Sequence, residues 1–323
     1  MTTDTAGRAT FGADIGGTNV RVAVVDGDGT VVEQRRSSTP STLDQLVEQI
    51  IDAVHELTPL RPRAHALGIG AAGLVDHDGA IRYAPNVPAF RDAPLRARVS
   101  AALGVPVAVD NDANVAALAE LVHGAARGRD DVLLITLGTG VGGGIVAGGH
   151  VVRGAHGFGA EIGHFQVDPD GPMCACGQRG HWEAVASGTA LGALGRARAV
   201  AGVAPSVVAR AGGSADAVKG VHVGEAAVAG EPDALEIVAE YATQVAIGLV
   251  GLVNILDPDL VVVSGGLVEL GDVLLAPLRT AFSGKIEGAR YRPEVQIVPA
   301  ALGEQAGVIG AAVLARDLIG ASP

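Results

Sequence analysis

With 323 residues, 48% hydrophobic and 18% charged, the chain is long enough for two domains and apolar enough for a large core. Aromatics are only 3%, so Ala, Val, Leu, Ile and Gly must do the packing. The formal net charge of −12 argues against a nucleic-acid backbone or an anionic membrane surface as a partner. It leaves room for an anionic nucleotide, because Gly-rich loops bind phosphate through backbone N–H groups.

The N-terminal run MTTDTAGRAT has neither the basic start nor the apolar core of a signal peptide. The apolar stretch Val245 to Leu256 is too short to span a bilayer and reads as part of a buried helix, Glu236 to Leu256. Two neighbouring cysteines make no disulfide framework. The expectation is a soluble, cytoplasmic protein.

In chain order, strands are expected at Ala9–Asp14, Asn19–Val25 and Thr30–Arg35, the last two joined by the hairpin signal DGDG. A helix follows, with Ser41 as N-cap and the apolar spacing Leu43, Leu46, Ile50, Val54. HALGIGAAGLV reads as the next strand. The second half repeats the theme: DVLLITLGTGVGGGIVAGGHVVRG is strand, Gly-rich turn, strand, turn, strand. Two such units separated by helices suggest a duplicated α/β architecture. DLVVVSGGL is a third strand-to-glycine junction, GEQAGVIGAAVLARDLIG a final helix, and Ala197–Gly213 a variable or mobile segment.

Four constellations carry chemistry. In the turn Asp14-Ile15-Gly16-Gly17-Thr18-Asn19, glycines let backbone N–H groups approach an anion, Thr18 and Asn19 add donors, and Asp14 is placed to orient Mg²⁺ or its waters. One such loop alone reads most simply as a hairpin. A second, Gly138-Thr139-Gly140-Val141-Gly142-Gly143-Gly144, tips the pair toward gripping a polyphosphate, since so many glycines are entropically costly. It is neither a Walker A loop nor a dinucleotide fingerprint. Asp110-Asn111-Asp112 ends a short strand before a helix. Asp112 or Asn114 could cap that helix, or a carboxylate there could take a proton from a hydroxyl nucleophile; local sequence leaves both open. Finally, GAEIGHFQVDPDGPMCACGQRGHWE holds Glu161, His164, Cys174, Cys176, His181 and Glu183. Two His flanking a Cys-x-Cys favour tetrahedral Zn²⁺, with a redox pair or buried free thiols as the other readings.

Taken together these residues resemble the ROK family of bacterial sugar kinases and repressors. The resemblance runs over nearly the whole chain: DIGGTN, GIGAAGLVD, APNVPAFRDAPL, NDANVAALAE, LGTGVGGGIV, GAEIGH, CACGQRGHWE, SGTAL, VVVSGGL and GEQAGVIGAA. It implies an α/β, actin-like (ribonuclease H-like) ATPase fold of two domains with a central cleft. Residues 1–118 plus 302–323 would form a smaller N-terminal domain closed by the C-terminal helix. Residues 119–301 would form a larger domain with the zinc-bearing sugar-site loop.

The family's activity implies transfer of the γ-phosphate of ATP, with Mg²⁺, to the 6-hydroxyl of glucose. Asp112 would be the general base, and Asn86, Asn111, Asp112, Glu161, His164 and Glu183 the sugar ligands. Asp14, Gly16, Gly17, Thr18, Asn19, Gly138, Thr139, Gly140 and Gly142 would hold the nucleotide's phosphates, with Gly265 and Gly266 near the nucleoside. A structural Zn²⁺ would be held by His164, Cys174, Cys176 and His181, where His181 stands at a position the family usually gives to a third cysteine. Asp110 stands where Glu is usual and Phe90 where Trp is usual.

Glucose and ATP are then the partners, with no nucleic acid and no membrane, and a homo-oligomer (dimer or tetramer) is expected. The alternatives are a kinase for N-acetylglucosamine, N-acetylmannosamine, allose or fructose, polyphosphate as donor, and a non-catalytic sugar sensor. Family repressors carry an extra N-terminal DNA-binding domain, and with DIGGTN beginning at residue 14 none is expected here.

Overall fold

The computed structural model describes residues 9–84, 87 and 90–320. The chain opens with an antiparallel meander of β1 (Thr10–Ile15), β2 (Asn19–Val25) and β3 (Val31–Ser38). The helix α1 (Leu43–Leu57) is capped by Thr42, not Ser41: the Thr42 side chain accepts from the Gln45 N–H. Next come β4 (Leu67–Ala71), the short pair β5 (Leu74–Val75) and β6 (Ile81–Tyr83), α2 (Leu95–Leu103), β7 (Val107–Asn111) and α3 (Asp112–His123). The resulting sheet has the order β3-β2-β1-β4-β7, with β1, β4 and β7 parallel. Strands β1, β2 and β4 are nearly all buried and α1 lays the predicted Leu46, Ile50 and Val54 on the same core, with Leu43 partly buried against it and Leu57 added at the helix end.

A second hairpin unit follows: β8 (Val132–Leu137), β9 (Val141–Ala147) and β10 (His150–Val151). Then come the short α4 (Glu183–Ala186), α5 (Gly188–Val200), α6 (Pro205–Arg210), α7 (Gly220–Val228) and the long α8 (Pro232–Leu256). The segment Ala197–Gly213, expected to be variable or mobile, holds the end of α5 and all of α6, with Ser206 held by Asp233 through two hydrogen bonds. The chain continues through β11 (Leu260–Ser264), α9 (Asp272–Phe282) and β12 (Gln296–Pro299). This sheet runs β10-β9-β8-β11-β12, repeating the plan of the first. Helix α8 is long and apolar enough to cross a bilayer by length and composition, but its apolar face is buried in the protein, as in a core helix.

The chain ends in α10 (Ala306–Gly320), which returns to the first sheet. Two strand glycines permit that approach. A β-carbon on Gly12 of β1 would lie 2.0 Å from the Val308 carbonyl oxygen, and one on Gly68 of β4 1.7 Å from that of Ala311. Thr10 Oγ1 adds a buried hydrogen bond of 2.8 Å to the Ala312 carbonyl.

The chain divides into two compact units. One takes the chain up to Asp130, Gly144–Ala160 and the chain from Ala301 onward; the other is Asp131–Gly143 with Glu161–Ala300.

Candidate functional site

In the first unit, the turn after β1 is closed by Gly16 N–H donating to the Asn19 carbonyl (3.0 Å). Thr18 and Asn19 are joined side chain to side chain (2.9 Å), and Arg36 Nε donates to Asn19 Oδ1 (3.2 Å). Asp14, at the end of β1, faces Gly307 in the first turn of α10, where a β-carbon would lie 2.6 Å from its carboxyl carbon. Burial, helped by the negative charge of Asp112 and opposed by Arg21, pushes its carboxyl up to about 6. A buried carboxylate of this kind gains from a nearby cation.

The strand-to-helix junction 110–114 lies in the same unit. The α3 cap is Asn111, neither Asp112 nor Asn114: its Oδ1 accepts from the N–H groups of Ala113 (2.8 Å) and Asn114 (3.2 Å). The Asp112 carboxylate accepts from the Ala113 N–H (2.9 Å) and is flanked by the Asn111 side chain. Desolvation raises its pKa, partly offset by that hydrogen bond. Asn111 Nδ2 donates to the Gly73 carbonyl (3.1 Å), where the backbone turns at φ +111°. Asn86 lies outside the described residues, while Phe90 is buried in the core of this unit.

In the second unit, the turn Gly138–Gly140 joins β8 to β9 and is closed by Gly138 N–H donating to the Gly140 carbonyl (3.0 Å). Gly142 N–H donates to Thr136 Oγ1 (3.0 Å). The neighbouring Val141 N–H donates to Glu183 Oε2 (3.0 Å), and a β-carbon on Gly140 would lie 2.4 Å from that oxygen. Gly140 thus leaves room for the close approach of a carboxylate. Beside the turn opens a cavity of about 680 Å³, lined by Gly138, Thr139, Gly188, Arg196, Lys219 and Gly266 among others. That volume suits a nucleotide-sized ligand. Gly265, at φ +87°, closes β11 against the Leu137 backbone and leads into Gly266 at the cavity wall.

The ligand atoms of His164, Cys174, Cys176 and His181 all lie within 4.8 Å of one another. Cys176 Sγ is 3.2 Å from His181 Nδ1, and Cys174 Sγ 3.8 Å from His164 Nδ1. Tetrahedral zinc, with bonds of about 2.0–2.3 Å, needs donors roughly 3.3–3.8 Å apart, so this S₂N₂ set fits with small adjustments. Without a cation, burial pushes the Cys174 thiol up to about 12. A metal that stabilises thiolate reverses that tendency. Cys174 Sγ also lies 3.3 Å from Glu183 Oε1, so Glu183 touches both the cluster and the glycine turn. The segment bearing Glu183 is anchored from α8. Trp182 is fully buried over Gly248 and donates Nε1–H to the Gln244 carbonyl (3.1 Å), and Tyr241 OH donates to the Ala186 carbonyl (2.6 Å).

The structure therefore gathers Asp14, Gly16–Asn19, Asn111 and Asp112 in one unit, and Gly138–Gly142, Glu161, His164, Glu183, Gly265, Gly266 and the four ligand residues in the other. Sequence reasoning missed Arg196 and Lys219 on the cavity wall. Arg196 gave no signal within an Ala/Gly-rich helix. Lys219 did: it is one of two lysines in a chain that otherwise uses arginine.

An actin-like two-sheet repeat with these loops is the architecture of sugar kinases and their relatives, and comparison with known proteins agrees. The ROK family model matches residues 10–318, and the chain belongs to the ROK family. It is 40% identical over 317 residues to the glucokinase of Streptomyces coelicolor, covering 95% of this chain and 98% of that one. Against the glucokinase of Thermotoga maritima it is 34% identical over 313 residues, covering 96% and 98%. It is similar to the crystal structure of a ROK family glucokinase from Streptomyces griseus in complex with glucose and AMPPNP, with 42% identity, a TM-score of 0.84, and 96% and 99% of the two chains covered.

Proposed function

We propose that this protein is an ATP-dependent glucokinase, transferring the γ-phosphate of ATP to the 6-hydroxyl of glucose. The observation that carries the reading is 34–42% identity over nearly the full chain to glucokinases, one of them solved with glucose and an ATP analogue. The residues present support it chemically. Asp112 stands where β7 passes into α3, with its affinity for a proton raised by burial, as a general base requires.

Asp112 accepts the proton of the 6-hydroxyl as its oxygen attacks the γ-phosphorus in line and the bond to the ADP leaving oxygen breaks. The sugar is neutral, so recognition rests on hydroxyl hydrogen bonds. Asn86, Asn111, Glu161, His164 and Glu183 are assigned to them alongside Asp112. The nucleotide enters as its magnesium complex, whose cation offsets phosphate charge. The N–H groups of the turns at Gly16–Asn19 and Gly138–Gly142 would hold the phosphates, Asp14 would serve the cation, and Gly265 and Gly266 would serve the nucleoside.

Zinc would be held by His164, Cys174, Cys176 and His181, and would supply rigidity to the loop bearing His164 and Glu183. His164 would meet the metal through Nδ1 and offer Nε2 to the sugar. The same reading places the protein in the cytoplasm, with ATP, as a homo-oligomer to which exposed apolar side chains such as Ile255 (78% exposed) would contribute.

Asp112→Ala tests the mechanism. Turnover should fall about 10²- to 10⁴-fold while calorimetry still detects glucose binding. Turnover within tenfold of wild type would remove Asp112 from the role of base.

A further inference from the structure

Asp110 is a buried carboxylate (5% exposed) that the reaction itself does not use. It is the penultimate residue of β7, two residues before Asp112. Its Oδ2 accepts from Arg153 Nε at 2.6 Å. Its Oδ1 accepts from the Asn111 N–H at 2.7 Å and from Asn114 Nδ2 at 2.9 Å. Those two donors lie on either side of Asp112, one in the residue before it and one in the first turn of α3. A single carboxylate oxygen therefore clamps the turn from which the Asp112 side chain springs.

Asn114 shows that the clamp is not incidental packing. The residue is 1% exposed, and its Oδ1 has no hydrogen-bond partner among the described residues. Turning the amide over would set that oxygen against the Asp110 carboxylate, so the orientation is dictated by Asp110 at the expense of the oxygen. An unsatisfied buried acceptor is costly and is not retained for filling space. Arg153, just beyond β10 and partly exposed, supplies the opposite charge that holds Asp110 in this position.

We infer that Arg153 is a positioning residue for Asp112, acting through Asp110 and Asn114; this rests on the kinase reading above. Arg153 touches neither nucleotide nor sugar in that reading. Its effect is the aim of the base, and misplacement of a reacting group by about 1 Å costs on the order of 100-fold in rate.

The experiment compares wild type, Arg153→Met, Arg153→Lys, Asn114→Ala and the Arg153→Met/Asn114→Ala double variant, by coupled assay with glucose and Mg·ATP and by thermal unfolding of the same samples. Wild-type turnover tests the kinase reading; the ratios to wild type test the clamp. Arg153→Met should lower kcat about 10- to 100-fold with the ATP KM within threefold and an intact melting transition. Arg153→Lys should recover part of that loss. The double variant should lose little more than either single one, because both open the same network. Arg153→Met with kcat within twofold of wild type would overturn the inference, as would single losses that multiply in the double variant. A lysine variant no better than methionine would also overturn it. A wild type silent on every sugar would remove the kinase reading and the positioning role with it.

Discussion

Replacing Gly140 by alanine probes the contact between the glycine turn and Glu183 directly. The new β-carbon would lie 2.4 Å from Glu183 Oε2, so the carboxylate must retreat by about 0.6–1 Å to reach a tolerable 3.0–3.4 Å. That retreat gives up the 3.0 Å bond from the Val141 N–H. A hydrogen bond to a charged group is worth about 1.5–3 kcal/mol, which corresponds to roughly 10- to 150-fold in rate if it is expressed in the transition state. A displacement of this size at a sugar ligand points to the same range. Gly140 is not among the positive-φ glycines, so alanine meets no backbone penalty there and the fold should survive. The assay is kcat/KM for glucose at saturating Mg·ATP, with thermal unfolding as the control. The account predicts a loss within that range at nearly unchanged melting temperature. A Gly140→Ala enzyme within threefold of wild type would refute the coupling of turn and carboxylate.

Three further outcomes follow from the same geometry. Glu120 is buried and its carboxylate accepts from the N–H groups of Ala125 (2.7 Å), Ala301 (3.1 Å) and Leu302 (2.9 Å), tying the end of α3 to the chain entering α10. Glu120→Ala strands these donors and should cost about 3–5 kcal/mol, lowering the melting temperature by on the order of 5 °C; a shift under 1 °C would contradict this. His123 accepts from Arg316 (3.2 Å), and desolvation, then Arg316 and Arg127, hold its pKa below 6.5. The unfolded state therefore binds the extra proton first, so its share of stability is present above pH 6.5 and is lost as pH falls through the lower folded value. The drop in stability between pH 7.5 and 5 should be smaller in His123→Gln, and equal drops would reject the assignment. For the metal, purified protein should hold about one zinc per chain, and His181→Ala or a strong chelator should lower both zinc content and melting temperature. Metal-free protein that melts like the zinc-loaded form would exclude a structural role.

Much of this was legible in the sequence because glycine and cysteine carry positional meaning. The turns at Gly16–Asn19 and Gly138–Gly140 stand out in the sequence as glycine-rich junctions between strands, and the Cys-x-Cys between two histidines marks a cluster the structure brings within 4.8 Å. Other features depend on distance along the chain. Gly12 and Gly68 look like ordinary strand interruptions until α10, more than 230 residues later, is seen to lie on them. Arg153 and Asp110 are 43 residues apart, and no local pattern pairs them. The Ala/Gly-rich segment 197–213 was expected to be variable or mobile because its composition is poor in anchors. Ser206 and Asp233 supply one across 27 residues, tying α6 to α8. At the start of α3 the sequence offers Asp112 or Asn114 as the cap, and the folded backbone assigns that task to Asn111 instead.

The central claim is a glucose-directed, ATP-dependent kinase, and the most direct measurement is coupled-assay turnover with Mg·ATP on glucose, mannose, fructose, N-acetylglucosamine, N-acetylmannosamine and no sugar. The account predicts strong preference for glucose and negligible ATP consumption without sugar. Turnover confined to an acetylated amino sugar or to fructose would contradict the glucose assignment, and no turnover on any sugar, with sugar binding intact, would contradict the kinase itself.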